Sequence, residues 1–190
     1  MSHFKYSSGM DTLSKLPAGL TRWRGLTLIL TADKARPGIT ELIAAGISRG
    51  PLLVVAASEW LPAFELTRIL RKNTLEVRRV LEHLYTVRTS TCYRLFDSLA
   101  DIPSNGGPLL VIDFLHTFYD PDIPLRVRLF TLRRCCRQLK RLALYRPVIL
   151  MTQEIPVEDY EKFLPALRSV ADRTFTLEAG PERIGQPALF

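Results

Sequence analysis

Leu109-Leu110-Val111-Ile112-Asp113 is a run of four apolar residues that ends in an acid. A strand that is apolar on both faces is typical of a parallel sheet buried between helices. Similar runs lie at residues 26–30, 51–57 and 148–152, and a final pair of short strands is predicted at 174–178 and 186–190. Segments with helical periodicity separate them, at 38–48, 61–71, 75–85, 90–100, 125–145 and 157–171. We therefore expect an α/β fold of three layers, with a mainly parallel central sheet and helices on both faces.

Length and composition fit one folded domain. The chain has 190 residues, of which 47% are hydrophobic and 24% charged. We expect a polar lead at 1–24 and a single core at 25–190. No apolar run is long enough to span a bilayer, and the first residues lack an apolar signal core. The three cysteines, two of them adjacent, give neither a disulfide framework nor a zinc pattern, which favours a reducing compartment.

The positive charge is concentrated in one segment. The chain carries +7, whereas residues 123–153 hold eight Arg or Lys and no Asp or Glu, leaving −1 for the remainder. Residues 125–145 have the periodicity of a helix with one apolar side. The opposing face carries residues that we predict to bind phosphate groups, such as those of DNA, or an acidic protein, namely Arg126, Arg133, Arg134, Arg137, Lys140 and Arg141. A solvated helix face without a ligand is the alternative.

The segment after the first strand is where a phosphate loop would lie. Such a loop has the form GxxxxGK[ST], with glycines that expose backbone N–H groups and a lysine that reaches the outer phosphates. Gly38 and Thr40 occupy the second-glycine and hydroxyl positions, but Asp33 replaces the first glycine and Ile39 replaces the lysine. Pro37 also removes one backbone donor. We therefore do not expect nucleotide hydrolysis through this loop.

Polar residues follow the other strands. Glu59 stands where a general base would activate water, Asp113 stands where an acid would hold magnesium, and Gln153 is a polar residue at the edge of the sheet. We interpret these three residues as vestiges of a catalytic site. The three histidines are scattered along the sequence and suggest no metal site. Because the phosphate loop is degenerate, no resident cofactor is expected, ATP and magnesium included.

Together these features resemble the RecA-like recombinase and KaiC-like ATPase superfamily, in particular the archaeal and eukaryotic recombinase branch and its paralogs. The segments that carry the resemblance occur in the family's order at 7–16, 59–71, 75–84, 88–95, 109–113 and 148–153. The Walker A motif is degenerate. The segments where recombinases carry DNA-binding loops are short, and we expect no separate amino-terminal domain before the core.

The resemblance implies a non-catalytic accessory protein of DNA recombination or repair. Its partners would be DNA and a RecA-family recombinase or another paralog, in an oligomer, in the nucleoid-containing cytoplasm of a prokaryote or the nucleus of a eukaryote. Four aromatic residues are candidates for base stacking, although most are expected in the core or an interface: Phe114, Phe118, Tyr119 and Tyr145.

Two other functions stay open. The first is an ATPase or nucleotide sensor, with Thr40 as magnesium ligand, Glu59 as base, Asp113 holding the metal and Gln153 as sensor. The second is a structural subunit whose basic face docks an acidic protein. Competition by nonspecific DNA separates this last function from DNA binding, because salt weakens both kinds of complex.

Overall fold

A computed structural model describes residues 24–31, 36–59, 61–153 and 160–177. Six strands and six helices alternate in these ranges, with one 3-10 helix over Phe114–Phe118. The strands are β1 (Gly25–Thr31), β2 (Leu52–Ala56), β3 (Leu84–Arg88), β4 (Leu109–Ile112), β5 (Pro147–Gln153) and β6 (Arg173–Leu177). The helices are α1 (Arg36–Ile47), α2 (Ala63–Asn73), α3 (Val77–Leu81), α4 (Cys92–Asp101), α5 (Leu125–Ala143) and α6 (Tyr160–Val170). Almost all of the expected lead, the last expected strand at 186–190 and Asp33 lie outside the described residues.

The six strands form one parallel sheet in the order β3-β2-β4-β5-β1-β6. In register, Leu28 of β1 lies opposite Leu150 of β5, and Val55 of β2 lies opposite Val111 of β4. Parallel neighbours cannot be joined by a tight hairpin, so helices are needed between them. The expected α/β architecture is confirmed, and it is consistent with a three-layer RecA-like domain.

An apolar core lies on each face of the sheet. Successive side chains of a strand point to opposite faces, so Leu28 and Leu30 enter one core while Ile29 enters the other. The helices α1, α2 and α3 cover the core around Ile29, and α4, α5 and α6 cover the core around Leu28. No helix in the described ranges is both long and apolar enough to cross a bilayer.

The helix predicted over 75–85 is wrong at its carboxyl end. α3 covers only Val77–Leu81, and the chain then enters β3, which pairs with β2 at the margin of the sheet. Tyr85, Thr86 and Val87 are aromatic or β-branched residues, which favour strands. Tyr85 and Thr86 are exposed, so β3 lacks the continuous apolar run that marks the inner strands.

The helices leave the sheet in opposite directions at two places along its carboxyl edge. α1 follows β1 onto one face, whereas α6 follows the neighbouring β5 onto the other. The same divergence occurs between β2, followed by α2, and β4, followed by the 3-10 helix and α5. Diverging connections of this kind leave a crevice where α/β proteins bind ligands. The residues that follow these four strands are therefore one candidate site.

Candidate functional site

A polar contact joins the carboxyl ends of β2 and β4. Ser58 follows β2 and Asp113 follows β4, and the pairing of the two strands brings their side chains together. The Ser58 hydroxyl donates a hydrogen bond of 2.6 Å to Oδ2 of Asp113. A hydrogen bond to a carboxylate is stronger than one between neutral groups. One oxygen of the acid that would hold magnesium in a nucleotide site is thus engaged by the protein itself.

The backbone of Asp113 adopts the left-handed conformation, with φ 54° and ψ 35°. It is the only non-glycine residue with positive φ in the described part of the chain. This conformation ends β4 and starts the 3-10 helix, whose Phe114 and Phe118 rings are buried with centroids 5.4 Å apart. The expectation that most of the candidate stacking aromatics belong to the core is confirmed for these two rings.

Two further predicted residues lie at the same edge of the sheet. Glu59 is exposed next to Ser58, and Gln153 is the half-buried last residue of β5, opposite Thr31 of β1. The structure therefore places Glu59, Asp113 and Gln153 along one edge, as their positions after the strands predict. Within the ranges described above, no group of three or more His, Cys, Asp or Glu side chains is arranged to hold a metal ion.

The position of the phosphate-loop lysine belongs to the core. α1 begins at Arg36, so Gly38, Ile39 and Thr40 lie in its first turns. The Ile39 side chain is only 4% exposed and packs in the same apolar cluster as Ile43. Thr40 is buried as well. An apolar side chain that is packed in the core cannot replace the lysine that binds the outer phosphates, and this accords with the degenerate motif.

The basic helix is the second candidate site. α5 covers Leu125–Ala143, and its apolar side faces the core as the periodicity predicts. Its buried residues are Arg128, Thr131, Leu132, Cys135, Cys136, Leu139, Leu142 and Ala143. The six predicted DNA-binding residues lie away from this side. Three of their side chains contact other parts of the protein, and the other three are open to solvent.

Lys140 is held by the protein. Its ammonium group forms an ion pair with Asp172 and donates a hydrogen bond of 3.2 Å to the Val170 carbonyl. The Leu26 N–H donates a second hydrogen bond, of 2.7 Å, to the Asp172 carboxylate. Burial would by itself raise the pKa of Asp172, but the hydrogen bonds from Lys140 and Leu26, with the Lys140 charge, lower it below its usual value. Lys140 thus links α5 to the segment between α6 and β6.

Arg141 closes the carboxyl end of α4. Its Nη2 donates to the carbonyls of Ala100 and Ile102, each at 3.3 Å, and its Nη1 reaches the Ser104 hydroxyl at 3.5 Å. The last carbonyls of a helix have no partner within the helix, and a cation there satisfies them and the helix dipole. Part of the Arg141 charge is therefore already used inside the protein.

Arg134 lies between two aromatic rings. Its guanidinium carbon is 3.8 Å from the ring centroid of Phe96 on α4 and 5.8 Å from that of Phe130 on α5. Guanidinium groups are attracted to the faces of aromatic rings by the ring quadrupole. Arg134 is half-buried, and it places a positive charge beside the Phe130 ring.

The other three predicted residues form an open surface. Arg126, Arg133 and Arg137 are exposed and make no ion pair with any described residue. On a helix of 3.6 residues per turn they fall in one stripe, together with Phe130. We call Arg126, Phe130, Arg133 and Arg137 the α5 stripe. Phe130 is a member that the charge pattern alone does not indicate, although its helical spacing from Arg126 and Arg133 places it there.

Two basic residues of the segment are structural. Arg128 is only 8% exposed, donates a hydrogen bond of 3.0 Å to the Phe118 carbonyl and lies 5.8 Å from the Phe163 ring centroid. Arg146 is buried, which lowers the pKa of its guanidinium, and it reaches the Pro103 carbonyl at 3.4 Å. The number of basic residues therefore overstates the charge that this segment offers to a ligand.

The three cysteines, Cys92, Cys135 and Cys136, are free and buried. Burial raises the pKa of the Cys92 thiol and, to about 12, that of Cys136. Burial and the neighbouring cysteines also raise the pKa of Cys135. Thiols with raised pKa values are neutral at physiological pH and are poor nucleophiles. We assign these side chains to the core between α4, α5 and the sheet.

No protein-family model matches the chain, and no curated protein matches it. The resemblance to the RecA-like superfamily therefore stays a prediction from the ordered sequence motifs.

Proposed function

We propose that the protein is a non-catalytic RecA-like accessory protein of DNA recombination or repair, which binds DNA through the α5 stripe. The observation that carries this proposal is the exposure of Arg126, Arg133 and Arg137 without an ion pair to any described residue. Like charges on neighbouring helical turns repel one another. A polyanion that binds along the stripe relieves this repulsion and releases its own counterions, which is a large source of affinity for DNA.

The dimensions of the stripe suit a phosphate backbone. Arg126 and Arg137 are separated by about 16 Å along the helix axis, given a rise of about 1.5 Å per residue. Three guanidinium groups over that distance are able to contact successive phosphates. Contacts to phosphates fix the position of a protein on DNA without reading its sequence. The proposed binding is therefore nonspecific in sequence and strongly dependent on salt.

The non-catalytic part of the proposal is supported by the carboxyl edge of the sheet. Ile39 is packed in the core at the lysine position, and Asp113 accepts a hydrogen bond from Ser58. A charge at the outer phosphates is a major contribution to phosphoryl transfer in a poorly solvated site. The lysine of a catalytic site is thus replaced by an apolar core residue, Ile39. The carboxylate that would hold magnesium, that of Asp113, is engaged in a hydrogen bond that stabilises the fold.

The partner and the place of action follow from the resemblance alone. A RecA-family recombinase or another paralog is the proposed protein partner, by analogy of fold rather than from a site on this surface. The proposal places the protein on the nucleoid of a prokaryote or in the nucleus of a eukaryote. An ATP-binding protein is the second candidate function, favoured by the left-handed backbone of Asp113, because strained backbone is concentrated at functional sites.

The test is DNA affinity measured against salt concentration by fluorescence anisotropy with a labelled duplex. The variant is the triple substitution R126A/R133A/R137A. Each phosphate contact that is removed lowers the slope of log affinity against log salt by about 0.9, so we expect a decrease of about two to three for the triple variant. Exposed substitutions of this kind change the free energy of unfolding little, about 0.5 kcal/mol or less each.

The matched control removes three exposed cations from another helix. R68A/R71A/K72A on α2 changes the net charge of the protein by the same amount. We expect this control to keep most of the wild-type slope. Equal slopes for the two triple variants would show that the overall charge, not the α5 stripe, determines binding. If nonspecific DNA fails to displace an acidic protein partner from the stripe, the structural-subunit alternative replaces the proposal.

A further inference from the structure

An aromatic ring lies open to solvent in the middle of the α5 stripe. Phe130 is 58% exposed, and its helical neighbours on the same face are Arg126, Arg133 and Arg137. A phenylalanine this exposed gains only part of the stabilisation that full burial in the apolar core would give it. The Arg134 guanidinium lies over one face of the ring, and contact with the sugar-phosphate backbone alone would leave the rest of the ring uncovered. The ring needs a flat apolar partner that arrives together with anionic groups.

A cation that is itself anchored to the protein lies beside the Phe130 ring. The Arg134 guanidinium lies 5.8 Å from the Phe130 centroid and is itself stacked on Phe96 at 3.8 Å. Phe96 packs against the core of α4 and α5. Phe130 is thus supported by a cation that is anchored to the body of the protein. An anchored side chain loses less conformational entropy on binding than a free one.

We propose that Phe130 stacks on an unpaired base, so that the ligand of the α5 stripe is single-stranded nucleic acid. This inference rests on the proposed function and specifies its substrate class. Bases in a duplex are covered above and below by their neighbours, and only their edges are open in the grooves. Single strands expose the faces of their bases, and binding sites for them combine a basic track with aromatic side chains. The α5 stripe has both parts within the same few helical turns.

The stripe differs in kind from the second basic and aromatic surface of the molecule. On α2 an exposed Phe64 lies beside Arg68, Arg71 and Lys72 along a shallow groove. None of these cations is stacked on an aromatic ring of the described residues. Phe64 therefore provides a matched control, since it is an exposed phenylalanine beside three cations but without an anchored guanidinium next to it.

The experiment compares F130L with F64L and with R133A/R137A. Leucine keeps an apolar side chain of similar size but removes the aromatic face. The probes are a fluorescently labelled oligothymidylate and a labelled duplex of the same length, and the readout is anisotropy over a range of salt. Loss of one stacked base costs a factor of about 5 to 150 in affinity. We expect F130L to weaken oligothymidylate binding by about tenfold, leave the salt slope and duplex affinity unchanged, and differ from F64L, which has no effect.

The two arginine substitutions separate this inference from the proposed function. R133A/R137A is expected to weaken both probes and to lower the slope for oligothymidylate by about 1.4, at about 0.7 for each phosphate contact. If R133A/R137A weakens binding while F130L binds oligothymidylate as wild type does, the stripe binds nucleic acid and the stacking inference is wrong. If F130L lowers the affinity for oligothymidylate and for the duplex by the same factor, the stacking inference is also wrong, because Phe130 would then contact a feature that the duplex shares. If neither variant changes binding, the proposed function fails as well.

Discussion

Arg128 and Arg133 lie on the same helix, but we expect their substitution by alanine to affect different properties, namely the stability of the fold and the binding of DNA. The Arg128 guanidinium is buried, donates to the Phe118 carbonyl at 3.0 Å and lies 5.8 Å from the Phe163 ring centroid. Arg133 is exposed. R128A therefore removes interactions that stabilise the folded state, whereas R133A removes a charge that is available to a ligand.

The magnitude for R128A follows from the interactions that alanine cannot make. A hydrogen bond to a charged group contributes about 1.5–3 kcal/mol, and the cation–π interaction with the ring contributes about 1 kcal/mol. Removing a buried cation also removes its desolvation cost, which offsets part of this loss. We expect R128A to lower the free energy of unfolding by about 2 kcal/mol. R128M keeps the apolar packing of the stem and removes the charge, and it is expected to cost about half as much.

The assay is urea unfolding followed by circular dichroism, with DNA affinity measured under conditions where every variant is folded. R128A should lower the urea midpoint with the salt slope of DNA binding unchanged. R133A should leave the free energy of unfolding within about 0.5 kcal/mol of wild type and lower the slope by about 0.9. The assignment of these two side chains is refuted if R133A destabilises the fold as much as R128A, or if R128A alone changes the slope.

Two further predictions concern stability. Because the pKa of Asp172 is lower in the folded than in the unfolded protein, its carboxylate stabilises the fold above the unfolded pKa, and this contribution is lost as pH falls through the folded value. Urea midpoints of wild type and D172N should therefore converge as the pH is lowered below the ordinary Asp value of 3.8, and a constant difference would contradict the ion pair. Gly106 and Gly50 both have positive φ, of 141° and 144°, but only at Gly106 would an added Cβ meet a side chain, namely the Arg146 guanidinium. G106A should lower the free energy of unfolding by about 1 kcal/mol or more beyond the effect of G50A. Equal urea midpoints for the two variants would show that the Arg146 side chain moves aside at no cost.

The inner part of the fold can be predicted because burial leaves a clear pattern. β4 is buried at every position, and its apolar run at 109–112 is typical of an inner parallel strand. The edge strand β3 cannot be predicted in the same way. Its exposed Tyr85 and Thr86 interrupt the run, and the helical pattern of the preceding α3 continues through it.

The candidate site is predictable in position but not in composition. Helical periodicity places six cations on the outer side of α5, whereas only the tertiary structure shows that Lys140 pairs with Asp172 and that Arg141 closes α4. Asp172 is 32 residues from Lys140 in the sequence, and Ala100 is 41 residues from Arg141, so helical spacing cannot reveal either partner. A count of charges also passes over Phe130, because it ignores neutral residues on a charged face.

The two candidate sites differ in what their polar groups already contact. At the carboxyl edge of the sheet, the Asp113 carboxylate accepts from Ser58, and the residue at the lysine position, Ile39, is part of the core. A ligand there would have to compete with interactions that stabilise the fold. On the α5 stripe, Arg133 and Arg137 have no ion-pair partner among the described residues. Because only the surplus of new interactions over those that must be broken appears as affinity, we expect the same anion to bind more favourably at the stripe than at the edge. That difference, rather than the number of basic residues, is the physical reason to place the ligand on α5.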